Sequence, residues 1–169
     1  PKEATGFDVS VVQEDTQGRM WLGTKGAGVF VQTKTGWHQW SMKQGLPDTH
    51  VHSIHHAPDG TTWVGTQGGA ARIEREERVR TWTPEEDGLA PGTVRAIHAQ
   101  ASGDVWIGTY GGGLSRIDAS GTVRRLTERA GLCDDTVSSL LFGEQWVWSH
   151  GNKGVSRIAL EQLEAWSQG

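Results

Sequence analysis

The sequence predicts an all-β fold: a β-propeller of about four blades, each made of four antiparallel strands. Three markers carry that expectation, and they share one period. Trp21, Trp63, Trp106 and Trp148 stand 42, 43 and 42 residues apart. Val9, Val51, Val94 and Val137 are spaced by 42, 43 and 43, and Gly45-Leu46, Gly88-Leu89 and Gly131-Leu132 return every 43. A repeat of about 40 to 50 residues holding several strand-like segments is the mark of a propeller blade.

Each unit reads alike. A first strand starts at the valine, over 9–12, 51–54, 94–97 and 137–140. A turn follows at Asp15-Thr-Gln-Gly18, Pro58-Asp59-Gly60 and Ser102-Gly103-Asp104, where Asp and Gly tolerate the backbone a hairpin needs. The second strand carries the tryptophan, as in Met20-Trp-Leu-Gly-Thr24, Thr62-Trp-Val-Gly-Thr66 and Val105-Trp-Ile-Gly-Thr109. Third strands follow glycine turns at 28–31, 70–73, 113–117 and 154–158, and more polar fourth strands cover 37–40, 79–82 and 123–126. The blades then span about 9–44, 51–87, 94–130 and 137–158 within a single region, 1–169. A short helical tail, 159–169, closes the chain. The fourth unit has no evident fourth strand, and residues 1–8 are poor material to supply one. The expected object is an arc of a larger, seven-blade type of ring.

Blades stack face to face, so an indole on one face and Leu22, Val64 or Ile107 on the other would fill the gaps on both sides. Burying an indole contributes a few kcal/mol by area. Leu46, Leu89 and Leu132 fall where one blade's outer strand crosses to the next blade's inner strand, each placed to plug a gap.

Composition agrees. Twenty-four glycines with only five prolines and no three-residue period suggest many tight turns. The net charge of −4, with both signs interspersed, gives no basic stripe for nucleic acid. A single cysteine, Cys133, excludes an intrachain disulfide and is expected to be buried or idle. No stretch approaches the ~20 apolar residues of a membrane-spanning helix, and the first residues do not form a signal peptide.

The succession Val51-x-x-Ile54, Asp15-x-x-Gly18, Trp106-Ile-Gly-Thr109, Gly112-Gly-Leu114 and Gly45-Leu-Pro47 resembles the two-component regulator propeller repeat. The resemblance runs through three units strongly and the fourth more weakly. It implies the extracytoplasmic, periplasmic sensor region of a bacterial membrane receptor, whose output is a histidine kinase or a diguanylate cyclase. No kinase, cyclase or membrane-spanning segment is present in these residues. Output of that kind is expected elsewhere in the full-length protein.

Candidate chemistry is sparse. The glycine turns at 25–28 and 110–113 lack the spacing of a phosphate-binding loop. Aligned on their valines, the first strands put Gln13, His55, His98 and Leu141 at one position and Ser10, His52, Arg95 and Ser138 at another. His55 and His98 are thus expected as neighbours along the central channel. With His50, His52 and His56 they could be read as zinc ligands. Successive strand residues face opposite sides, so they cannot all converge, and a wet polar lining is the reading adopted, with no metal and no cofactor. The charged run Glu74–Arg78 reads as a solvated turn. Trp37 and Trp166 are candidates for an exposed, sugar-binding aromatic surface, while Trp40 and Trp82 read as packing residues. The rim where inner strands begin brings forward His50, Asp48, Arg95 and Asp135 as ligand-binding candidates, joined by His55 and His98 of the channel, with an unidentified small molecule or saccharide as partner. A propeller hydrolase or lyase acting on a carbohydrate or lactone is the alternative. Open blade faces at both ends of an arc predict self-association.

Overall fold

The computed structural model describes residues 6–74 and 78–168, so Arg75, Glu76 and Glu77 of the charged turn and Gly169 of the tail lie outside the described residues. The described residues form four antiparallel sheets in chain order. Blade one holds β1 (Val9–Glu14), β2 (Met20–Thr24), β3 (Val29–Thr33) and β4 (Gly36–Trp40). Blade two holds β5 (Val51–His56), β6 (Thr62–Thr66), β7 (Ala70–Ile73) and β8 (Val79–Trp82). Blade three holds β9 (Val94–Ala99), β10 (Val105–Thr109), β11 (Gly113–Ile117) and β12 (Val123–Leu126). The fourth has three strands, β13 (Ser139–Phe142), β14 (Trp146–Gly151) and β15 (Gly154–Ala159).

Inner strands pack side by side, β1 on β5, β5 on β9 and β9 on β13, and the row does not close into a ring. Two helices complete the chain, α1 (Pro84–Asp87) and α2 (Leu160–Gln168). The expected first strand of the fourth unit starts two residues late, because Val137 and Ser138 instead bond to Thr109 O and His150 O as the chain enters the blade.

Every blade has a tryptophan face and an opposite, receiving face. In the first seam Trp21, Val29, Val31, Trp40 and Leu46 meet Val51, Ile54, Val64, Ala71 and Ile73. In the second, Trp63, Trp82 and Leu89 meet Val94, Val105, Ile107 and Ile117. In the third, Trp106, Leu114, Leu126 and Leu132 meet Val137 and Val147, with Leu163 of α2 closing the outer edge that a fourth strand would occupy. The indoles of Trp21, Trp63 and Trp106 are 1–3 % exposed. Trp148 departs from the expectation: its face has no following blade, and it is 39 % exposed. Trp166 is a packing residue, half-buried with its ring 6.3 Å from Trp106.

The repeated Trp-x-Gly-Thr follows from these seams. A Cβ on Gly108 would stand 2.5 Å from Val137 Cγ1, and one on Gly65 would stand 2.5 Å from Val94 Cγ1. The next blade's valine therefore lies directly on the glycine, and the two markers keep one period because they touch. The threonine hydroxyl closes the turn after it: Thr24 Oγ1 donates to Gly28 O and Thr66 Oγ1 to Gly69 O, both at 2.8 Å.

A short helical turn precedes each crossover, at Met42–Gln44, in α1, and at Glu128–Ala130, a feature the repeat pattern does not disclose. Ser41 caps the first with a reciprocal Gln44 bond, and Thr83 caps α1 through Glu86 N. Gly45, Gly88 and Gly131 end them in the left-handed conformation. The leucine after each glycine drops into the gap, at no more than 5 % exposure. Of the two expectations for Cys133, buried or idle, burial is not met: it is exposed, because its neighbour Leu132 takes the inward position.

Gly108→Ala is expected to cost about 1–3 kcal/mol by overpacking the third seam, read as a lower denaturant midpoint in equilibrium unfolding. An unchanged midpoint would show that Val137 does not press on this strand.

Candidate binding site at the channel mouth

The valine and the following apolar residue in Val51-x-x-Ile54 sit three apart, yet both pack into the first seam. A regular strand alternates faces every residue, so this needs one extra residue. The register supplies it: pairing is interrupted between Val9 and Val11, between Val51 and Ser53, and between the partners of Gly108 and Thr109. The bulged residues are Ser10, His52 and Arg95. They occupy the same place on three adjacent inner strands, where their side chains are freed from the ladder.

His52 is half-buried. Burial, then the charges of Arg95 and His50, lower its pKa from 6.5, opposed by Asp48. Asp48 accepts from His50 N–H at 2.6 Å and lies 3.1 Å from His50 Nδ1. Lys25, paired with Asp8 at 3.2 Å, completes the surroundings of His52. Asp48, His50 and Arg95 thus carry charges that act on His52, which the sequence placed in register with Arg95 and weighed only as a metal ligand. What hid His52 was the bulge, which no residue type announces.

Asp135 is engaged elsewhere. Its carboxylate accepts from Glu128 N–H at 2.7 Å, its own N–H donates to Glu128 Oε1, and its carbonyl accepts from Gly111 and Gly113. These bonds fasten the crossover that leads into the fourth blade against the third.

His55 and His98 are neighbours, their ring centres 5.7 Å apart. His55 Nε2 accepts from Ala99 N–H at 3.1 Å, and His98 stacks on Phe142 at 4.1 Å with the planes 7° apart. His56 points the other way, its ring edge-on to Trp21. Among the described residues no three His, Cys, Asp or Glu side chains group to hold a metal ion.

The opposite rim, where the hairpin turns lie, carries inter-blade clefts. One of about 300 Å³ opens between the first two blades and is lined by Arg19, Trp21, His38, Trp40, Thr62 and Glu74 among others. One of about 230 Å³ lies between the next two, with Asp59, Trp63, Arg72 and Gln100 in its wall. Trp37, proposed as exposed, is only partly so. On this rim burial would raise the pKa of Asp15, but bonds from Trp21 Nε1, Arg19 Nε and the N–H groups of Arg19 and Gln17 outweigh it and lower it to about 2.

Taken together, fold and site define an arc of β-propeller blades with a polar inner edge, a scaffold that presents loops. Residues 45–68 match the family model described as two component regulator propeller. No curated protein matches the sequence. Among solved structures, the extracellular domain described as that of a hybrid two component system, BT3049 of B. thetaiotaomicron, is 21 % identical with a TM-score of 0.74 over 89 % of this chain. The chain spans about a fifth of that structure, 21 % of its length. PorZ, a surface component of the type-IX secretion system of Porphyromonas gingivalis, is 18 % identical with a TM-score of 0.64, covering 89 % of this chain and 26 % of that one. Virginiamycin B lyase from Staphylococcus aureus is 16 % identical with a TM-score of 0.64, covering 91 % of this chain and 56 % of that one. At these identities the likenesses show a shared fold.

Two pH effects follow. Burial lowers the pKa of His55 and His98 below 6.5, so the unfolded chain binds more protons on acidification. Stability is full above 6.5 and falls as pH drops through it; thermal unfolding between pH 7 and 5 should show this, with a flatter slope in His98→Phe, which keeps the stack on Phe142. Asp15, its side chain 7 % exposed, adds on the order of 2 kcal/mol above pH 4 that is lost towards pH 2. Asp15→Asn should remove that acid-sensitive part of the unfolding free energy, and an unaltered acid limb would refute the role.

Proposed function

We propose that this chain is an extracytoplasmic, ligand-binding propeller region of a bacterial signal-transduction receptor, with no catalysis of its own. The observation that carries this reading is the repeat match at 45–68 together with the fold shared with the BT3049 extracellular domain. Recognition falls to the channel mouth, where His50, His52 and Arg95 offer donors beside the acceptor Asp48. Such a set suits a polar small molecule or saccharide that carries an anionic group, bound by hydrogen bonds and charge on a rigid scaffold. Membrane anchoring and a kinase or cyclase output belong to the longer receptor that this reading implies.

Titration calorimetry with a panel of neutral and acidic oligosaccharides tests it. An acidic ligand is expected to bind, and His52→Ala or Arg95→Ala should weaken binding at least about tenfold with the melting temperature unchanged, both side chains being outside the seams. Binding that survives these changes but is lost on His38→Ala would move the site to the cleft between the first two blades. Turnover of the ligand would refute the non-catalytic reading.

A further inference from the structure

In the first blade Asp15 lies two residues past Gln13, the partner of Trp21. Its carboxylate accepts from Trp21 Nε1 at 2.9 Å and from Arg19 Nε at 2.7 Å. Ala57 holds the same place in the second blade. It lies two residues past His55, the partner of Trp63, and makes the same turn: Ala57 N–H donates to Thr61 O as Asp15 N–H donates to Arg19 O. Asp59 takes over the work on the turn, accepting from Thr61 N–H at 2.9 Å and from Thr61 Oγ1 at 2.7 Å. The indole has no such replacement. Trp63 is 3 % exposed, and its Nε1 has no hydrogen-bond partner among the described residues. Trp106 Nε1 is also without a partner, but it is buried in the third seam. Trp63 instead lines the cleft of about 230 Å³ at the mouth of the second seam.

That cleft lies between two blades whose four strands are all described, so it does not depend on where the arc stops. Its walls are built of small residues, Ala57, Ala99, Ala101 and Ala119. A water's share of the liquid is about 30 Å³, so the space holds several waters or one small organic molecule. Arg72 pairs with Trp63 between β7 and β6 and shares its face. Its guanidinium meets Asp59 at 3.1 Å and Glu74 at 3.9 Å, much as Arg116 meets Asp104 at 2.9 Å in blade three. Arg72 Nε is buried with no partner. Two N–H donors on one face, Trp63 Nε1 and Arg72 Nε, therefore lack an acceptor where blade one supplies a carboxylate. Unmade bonds of buried donors are costly, and a guest that brings the acceptor is favoured. Charge decides what kind of guest. One guanidinium faces two carboxylates, so a bare anion meets net repulsion. The guest's carboxylate must bring a positive group with it, set against Asp59.

We propose that the cleft between the second and third blades binds a small α-amino acid. Its carboxylate takes the place that Asp15 fills in blade one, accepting from Trp63 Nε1 and Arg72 Nε, and its ammonium faces Asp59. The alanine walls leave room for a short side chain only. This site is separate from the channel mouth, and it stands whether or not a ligand binds there.

The indole N–H signals in ¹H–¹⁵N NMR spectra of the protein test it, with Trp63 assigned and the exposed Trp148 as control. Glycine and alanine are expected to move the Trp63 signal saturably and to leave that of Trp148 in place. Acetate, the carboxylate alone, should bind at least about tenfold more weakly than glycine, and Asp59→Asn should erase that difference. Ala57→Asp should move the Trp63 signal in the same direction with nothing added, because the chain then supplies its own carboxylate, and should abolish the response to glycine. Ala57→Asn, a neutral acceptor of the same size, should do likewise and serves if the charged variant fails to fold. A Trp63 signal that never moves, the cleft then holding water alone, overturns the proposal. So does a shift shared by Trp148, a response to neutral sugars but not to glycine, acetate binding as tightly as glycine, or glycine binding undiminished by the substitutions at Ala57.

Discussion

The seam between adjacent blades is the constraint from which the other features follow. One blade lays an indole and two or three aliphatic side chains on the inner strand of the next, and the fit is close enough that the second strand must carry glycine where the neighbour's valine lands. Interiors at that density have no room for a methyl group that was not there before. The same closeness fixes the chain's path: Thr24 and Thr66 pull their turns shut, while Leu46, Leu89 and Leu132 seal each crossover. A sheet covered on both faces cannot display function there. Function is pushed to the rims and to the inner edge.

That displacement explains the distribution of polar groups. The inner strand must bring two apolar residues spaced by three onto one seam, and the bulge that makes this geometrically consistent frees the residue between them. Ser10, His52 and Arg95 are by-products of packing in position and yet unrestricted in chemistry. The scaffold places a side chain there without dictating which. At the seam itself the histidines serve as rings: His98 stacks on Phe142 and His55 accepts a backbone bond from the next blade. Burial lowers the pKa of both, as suits a packing role.

The fourth blade shows the seam's logic by departing from it. Among the described residues it has three strands, and α2 adds Leu163 and Trp166 to the third seam. Its other face keeps the tryptophan but loses the aspartate that accompanies the arginine in blades two and three, and the arginine lies over indoles. Both departures are local changes of residue with consequences for what can pack next.

The sequence by itself determined the four repeat units of these residues, the order of strands within a unit and most of the core, because markers such as Trp21, Gly23 and Val51 touch one another and therefore repeat at one spacing. It also fixed the alignment that sets His52 with Arg95. Tertiary structure decided which of the aligned residues is buried: Trp148 has the sequence of its equivalents and lacks only the neighbouring sheet. Likewise it decided that Asp135 ties the crossover to the third blade while Asp48 meets His50. Burial depends on the neighbouring blade, and a periodic pattern states what repeats, not what ends up facing water where the repetition stops.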